Sequence, residues 1–219
     1  MTLKKGFLIV FEGIDGSGKT TQAKLLSEYL ERKGLDVILS KEPTDSIYGQ
    51  KIKKLAQSER DFVKPIDEYH LFINDRKSHV ENLIKPALKN KKIIILDRYY
   101  FSTIAYQGAI GLEPEKIKKE NEAFAPVPEI VFLISVPPRV GLRRIKKGRK
   151  EKPNLFEREE NLARVEREFE SFTENYIVPI NGIEGIKDIH HTIVNVIDDI
   201  VNHYLNEDKP YLFPKQQMK

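Results

Sequence analysis

The sequence predicts an α/β domain: a five-stranded, mostly parallel sheet with helices on both faces. Three observations predict it. Short apolar runs alternate with longer amphipathic stretches along the whole chain, the pattern of strands joined by helical crossovers. The first three runs, FLIVF (7–11), DVILS (36–40) and IIILD (93–97), are apolar and β-branched throughout, as in strands covered on both faces. No stretch reads as a linker long enough to split the 219 residues, so one domain is expected over 1–205 with a tail at 206–219.

The elements follow in order. The remaining strands are EIVFLISV (129–136), bracketed by Pro126, Pro128, Pro137 and Pro138, and YIVPI (176–180). Helices are expected at about 19–33, 47–57, 66–90, 101–107, 114–123, 138–147, 157–175 and 186–205. Gly34 sits where the first helix needs a C-terminal cap. Pro86 should bend the long helix near its end. From Asn206 onward, with Pro210 and Pro214, the chain reads as a loosely held terminus.

Composition narrows the function classes. There is no cysteine, which excludes a disulfide framework and cysteine-ligated zinc and fits a reducing, cytoplasmic setting. The longest early apolar run ends after five residues at Glu12, too short for a signal-peptide core or a membrane span. Net charge is +4, but residues 139–152 alone hold eight basic residues and one acidic one, leaving a body of net −3. The chain is a near-neutral body with one concentrated basic segment, not a generally basic nucleic-acid binder.

Directly after the first strand comes Gly13-Ile14-Asp15-Gly16-Ser17-Gly18-Lys19-Thr20, followed by Thr21 at the start of a helix. This is the G-x-x-x-x-G-K-[ST] phosphate loop in its required strand-to-helix context, and it predicts a P-loop NTPase fold. Its glycines let backbone N–H groups turn toward phosphate oxygens at a helix N-terminus. Lys19 reaches the β- and γ-phosphates of ATP, and the Thr20 hydroxyl is a ligand for Mg²⁺. The N-K-x-D of a GTPase is missing: the lone Asn90-Lys91 pair precedes a strand. The acid pair of a motor ATPase is missing too, since the third strand ends Asp97-Arg98. An arginine on that rim implies a second anion beside the triphosphate, as a phosphorylated acceptor supplies. Asp97 is placed to orient Mg²⁺-bound water, and Glu42, on the same rim, to hold the ion through water.

The residues resemble the thymidylate kinases, small P-loop enzymes that phosphorylate dTMP. The resemblance runs to about residue 180. It is carried by FEGIDGSGKTTQAKLL, KEP (41–43), LFINDRKSHVENLIKPAL (71–88), DRYYFSTIAYQG (97–108) and FEREENLARVEREF (156–169). It implies that Asp15 accepts from the acceptor's 3′-hydroxyl, that Phe72 stacks on thymine with Arg76 beside it, and that Arg98 holds the acceptor phosphate. Ser102, Tyr106 and Gln107 match positions lining the nucleoside pocket. Phe72 and Arg76 are spaced i, i+4 and so share a helix face. The resemblance also implies a homodimer and makes the basic segment, about 139–156, a lid over the donor. After Glu42-Pro43 the family often carries Gly-Gly-Thr or a nearby arginine. Here Thr44-Asp45-Ser46 stands instead, and Asp45 would repel an acceptor phosphate if it pointed inward.

This phosphate loop has no arginine, so a lid arginine should clamp the transition-state charge. Arg149 is the first candidate, because Gly148 lets the chain turn over the site; Arg143 is the second and Arg144 the third. A nucleic-acid role for the segment is disfavoured, since no aromatic residue is interleaved within it. The histidines, His79 among them, lack metal-like spacing and read as structural. The expected reaction is Mg²⁺-dependent, in-line transfer from ATP to dTMP. A nucleoside or deoxynucleoside kinase with another or a relaxed acceptor stays open, as does a nucleotide-dependent nucleic-acid binding protein.

Overall fold

Strand β1 (Phe7–Glu12) takes the middle of the sheet because both of its faces are apolar: every one of its residues is buried. In the computed structural model, which describes residues 2–57, 64–148 and 159–213, it lies between β3 (Ile93–Asp97) and β4 (Ile130–Ser135). Strands β2 (Val37–Lys41) and β5 (Ile177–Asn181) form the edges, in the order β2-β3-β1-β4-β5. The sequence predicts a mostly parallel sheet; all four pairings are parallel, with Ile9 opposite Ile95 on one side and Ile130 on the other.

Successive β1 side chains point to opposite faces and feed two cores. Leu8 and Val10 join the core that holds Ile73 and Phe101 from α3 (Pro65–His79) and α5 (Tyr100–Gly108). Phe7, Ile9 and Phe11 join the other, under α1 (Lys19–Arg32) and α9 (Ile186–Asn206). The remaining helices are α2 (Ile47–Gln57), α4 (Lys85–Lys89), α6 (Pro114–Glu122), α7 (Pro138–Gly148) and α8 (Glu159–Glu170).

Several expectations shift for identifiable reasons. Strand β2, predicted to be covered on both faces, is half-exposed, with Leu39 43% accessible, because an edge strand has one neighbour. The helix expected over 66–90 is α3 and α4 joined by a widened turn at Val80–Ile84, where the Lys85 N–H reaches back to the Val80 carbonyl. Pro86 has no N–H for the Asn82 carbonyl and its ring fills that space, so the adjustment falls just before the proline. The tail past α9 is tied down as far as Phe213. The Tyr211 N–H donates to the Tyr204 hydroxyl at 3.1 Å, and Phe213 packs on the second core. Gly34 closes α1 as expected: at φ 76° its N–H bonds Glu31, and Leu35 reaches back to Leu30.

Candidate active site

The C-terminal ends of β1 and β3 deliver the phosphate loop and the Asp97-Arg98 pair to the same rim, beside the point where the strand order reverses. Gly13 turns out of β1 at φ 135°, and a Cβ there would lie 2.3 Å from the Ile134 carbonyl oxygen. Gly16 meets α7 backbone to backbone: its Cβ would sit 2.4 Å from the Gly141 oxygen, and one on Gly141 would sit 2.6 Å from that of Asp15. Glycine is therefore a packing requirement at 13, 16 and 141, and at 13 and 16 a conformational one as well.

A cleft of about 520 Å³ opens over the loop, lined by Lys19, Thr20, Asp15, Asp97, Arg98 and Arg144, with Gly16, Gly18 and Thr21 on its wall. That volume suits a small-molecule site. Lys19 begins α1; its ammonium donates to the Ile14 carbonyl at 2.8 Å and reaches the Ser17 hydroxyl at 3.5 Å. Burial, then repulsion from Arg98, outweigh the attraction of Asp15, Asp97 and Glu12 and bring its pKa down to about 8. The Thr20 hydroxyl donates to Asp97, so two of the three predicted magnesium groups meet across the loop.

Arg98 follows β3 at φ 73°, a left-handed conformation uncommon for a residue with a side chain. Its guanidinium donates to the Ser102 hydroxyl at 2.8 Å, to Asp15 at 2.7 Å, and at 3.4 Å to both the Gly13 carbonyl and the Tyr106 hydroxyl. The Tyr106 hydroxyl donates to the other Asp15 oxygen at 3.1 Å. Burial pushes the Asp15 pKa up, but the Arg98 and Lys19 charges and the tyrosine hydrogen bond outweigh it, and the pKa settles at about 2. Asp15 is thus an acceptor-only group at any working pH. Gln107 is fully buried, yet neither of its amide atoms has a partner among the described residues. An unpaired buried amide is costly.

Glu42 has a different setting from the one its rim position implied. Its carboxylate, 6% exposed as a residue, accepts Arg76 Nε and Nη2 at 2.8 and 2.6 Å on one oxygen and faces His79 Nδ1 at 3.0 Å on the other. With both oxygens engaged it anchors Arg76, and it also lines the cleft over the phosphate loop. Arg76 also donates to Asn121 at 2.6 Å and Thr103 at 3.0 Å. Four of its five N–H groups are occupied, and Phe72, one turn earlier, stays half-buried. His79 is structural, as expected, bridging Glu42 to the Ser40 hydroxyl at 2.9 Å.

Asp45 points away from the cleft, its side chain 90% exposed and paired with Lys53 at 2.6 Å. Asp75 holds that loop from behind, accepting the Thr44 N–H at 2.8 Å and the Thr44 and Ser46 hydroxyls at 2.6 Å. Of the arginines on α7 expected to act as a clamp, Arg143 is exposed, whereas Arg144 turns to the phosphate loop, donating to the Ser17 carbonyl at 3.3 Å and the Gly182 carbonyl at 2.9 Å. The geometry thus favours the third candidate over the second; Arg149 lies outside the described residues. Sequence reasoning missed Glu12, Asp75 and Gly141. For Glu12 a signal was present, a carboxylate closing an apolar run.

Comparisons with known proteins give the family. Residues 11–193 match the family model described as thymidylate kinase. A thymidylate kinase of Desulfotalea psychrophila is 44% identical over 201 residues, covering 92% of this chain and 98% of that protein. One of Akkermansia muciniphila is 42% identical over 186 residues, covering 85% of this chain and 88% of the relative. The crystal structure of thymidylate kinase from Ehrlichia chaffeensis superposes with a TM-score of 0.71 at 32% identity, over 88% of this chain and 99% of that one. With its phosphate loop, its Asp97-Arg98 rim and its five parallel strands, the chain belongs to the thymidylate kinase family of ATP-dependent phosphotransferases.

Proposed function

We propose that the protein transfers the γ-phosphoryl group of ATP to dTMP, giving dTDP. The observation that carries this reading is the pairing of two anion sites across one cleft, the Lys19 phosphate loop and the Arg98–Asp15–Tyr106 cluster. Lys19 and the loop N–H groups bind the donor phosphates. Arg98 holds the acceptor phosphate, and Asp15, already ionised, accepts the 3′-hydroxyl. Gln107 and the remaining Arg76 N–H supply polar contacts to the base, with Phe72 as its stacking surface. Orientation and charge neutralisation supply most of the catalysis, and no covalent enzyme intermediate is needed.

Thr20 and Asp97 present hydroxyl and carboxylate oxygens side by side, a donor set suited to a hard divalent cation. They would hold Mg²⁺ directly or through water; when bound, it neutralises charge on the β- and γ-phosphates. In this reading Arg144, which lines the cleft and donates to the Ser17 carbonyl, adds positive charge beside the donor phosphates. We read the enzyme as cytoplasmic and homodimeric; light scattering tests the second point. Among the described residues no helix is long and apolar enough to cross a membrane.

ADP release over a panel of nucleoside monophosphates tests the acceptor. dTMP should exceed the others by at least about tenfold, since a site with unpaired polar groups rejects acceptors that leave them unpaired. Equal rates with AMP, CMP, GMP or UMP would overturn the dTMP reading.

A further inference from the structure

Glu12 is the last residue of the central strand and has no accessible surface. A carboxylate in that position is expensive unless its hydrogen bonds are complete, and an apolar residue would serve a strand interior better. No lysine, arginine or histidine forms an ion pair with it among the described residues. Its oxygens instead accept the Tyr99 N–H at 2.8 Å, the Ser102 N–H at 3.1 Å and the Ser102 hydroxyl at 2.5 Å. These donors frame the start of α5, immediately after the left-handed Arg98.

The direction of the hydroxyl bond carries the argument. Arg98 Nη1 also meets Ser102 Oγ at 2.8 Å, and a guanidinium can only donate. The serine oxygen therefore accepts from Arg98, and its single hydrogen goes to Glu12. A continuous chain of donors runs from Arg98 through Ser102 to Glu12 and fixes Nη1, while Asp15 holds Nη2. Burial raises the carboxyl of Glu12, while Arg98 and the hydrogen bonds pull it back.

We propose that Glu12 is a positioning residue for the acceptor phosphate, locking the Arg98 guanidinium through the Ser102 hydroxyl. This rests on the reading of Arg98 as the group that holds that phosphate. Glu12→Gln keeps the size of the side chain but replaces one acceptor oxygen with an NH₂ group. The Tyr99 and Ser102 N–H groups hold the remaining oxygen on their side, so the NH₂ faces the serine and cannot receive its hydrogen; the hydroxyl turns, and Arg98 keeps Asp15 but loses Ser102 as an acceptor. No hydrogen bond of this chain reaches Lys19, which feels Glu12 and Arg98 only through space, so the donor site should suffer less than the acceptor site.

The test is steady-state ADP release by wild type, Glu12→Gln, Ser102→Ala and the double variant, with dTMP and ATP varied in turn and a thermal melt for each protein. Each single change should lower kcat/KM for dTMP about 10- to 150-fold, the range for losing a charge-assisted hydrogen bond, with the KM for ATP shifted less than about threefold. The double variant should be no worse than the poorer single, because both break one chain. Parallel losses for the two substrates, additive losses in the double, or a Glu12→Gln enzyme within about twofold of wild type would each overturn the proposal. If Glu12→Gln does not fold, Glu12→Asp takes its place, since the shortened carboxylate should show the same dTMP-selective loss; a loss shared equally with ATP would again overturn it. Wild type inactive with dTMP would sink the functional reading separately, and the same variants would then be read with whichever acceptor the panel finds.

Discussion

Replacing Asp15 with alanine separates two roles that the structure gives this carboxylate. An ionised carboxylate has about four lone-pair positions. Arg98 takes one at 2.7 Å and Tyr106 another at 3.1 Å, leaving room for an incoming hydroxyl. A hydrogen bond to a charged group contributes about 1.5–3 kcal/mol, or a factor of about 10 to 150. The Asp15 side chain is 32% exposed, so water competes and the lower part of that range applies. Wild type should prefer dTMP over its 3′-deoxy analogue about 10- to 30-fold in kcat/KM. Asp15→Ala also releases Arg98, but both acceptors carry the same 5′-phosphate and suffer that loss equally. The ratio therefore isolates the hydroxyl contact and should fall close to unity in the variant. A ratio that persists in Asp15→Ala would refute the assignment and leave Asp15 as the Arg98 partner alone.

Lys19→Ala removes the cation at the donor phosphates, and turnover should fall about 10²- to 10³-fold; retention of half the activity would place the donor elsewhere. Because burial has lowered the Lys19 pKa from 10.5 to about 8, the free enzyme loses this charge as pH rises through 8. Calorimetric ATP affinity should be flat below pH 7 and weaken above 8, whereas Lys19→Ala should lack that decline. The same shift makes the unfolded chain bind more protons between pH 8 and 10.5, so this group's contribution to stability rises with pH across that window. Arg144→Ala should lower kcat and kcat/KM together by at least about tenfold, with Arg143→Ala within about threefold of wild type. The reverse order would return the clamp to Arg143.

Local pattern alone was enough for much of this molecule. The period of the apolar runs identified all five strands, and the phosphate loop announced itself because its chemistry is carried by eight consecutive residues. The Asp97-Arg98 pair was legible for a similar reason, since the end of a buried strand is a place where charges need a purpose. Position across the sheet was not legible: nothing in DVILS says that β2 is an edge, because edge or centre depends on which strands pair. Nor was the partner of each charge. Glu42 and Arg76 are 34 residues apart, and only the packing of α3 against the β2–α2 loop makes them a buried pair at 2.6 Å. Arg143 and Arg144 are neighbours of equal charge, but α7 presents them in different directions and only one reaches the phosphate loop. Residue type and spacing determine which chemistry the chain carries. Which carboxylate neutralises which guanidinium is decided by distance and desolvation, and these exist only once the chain has folded.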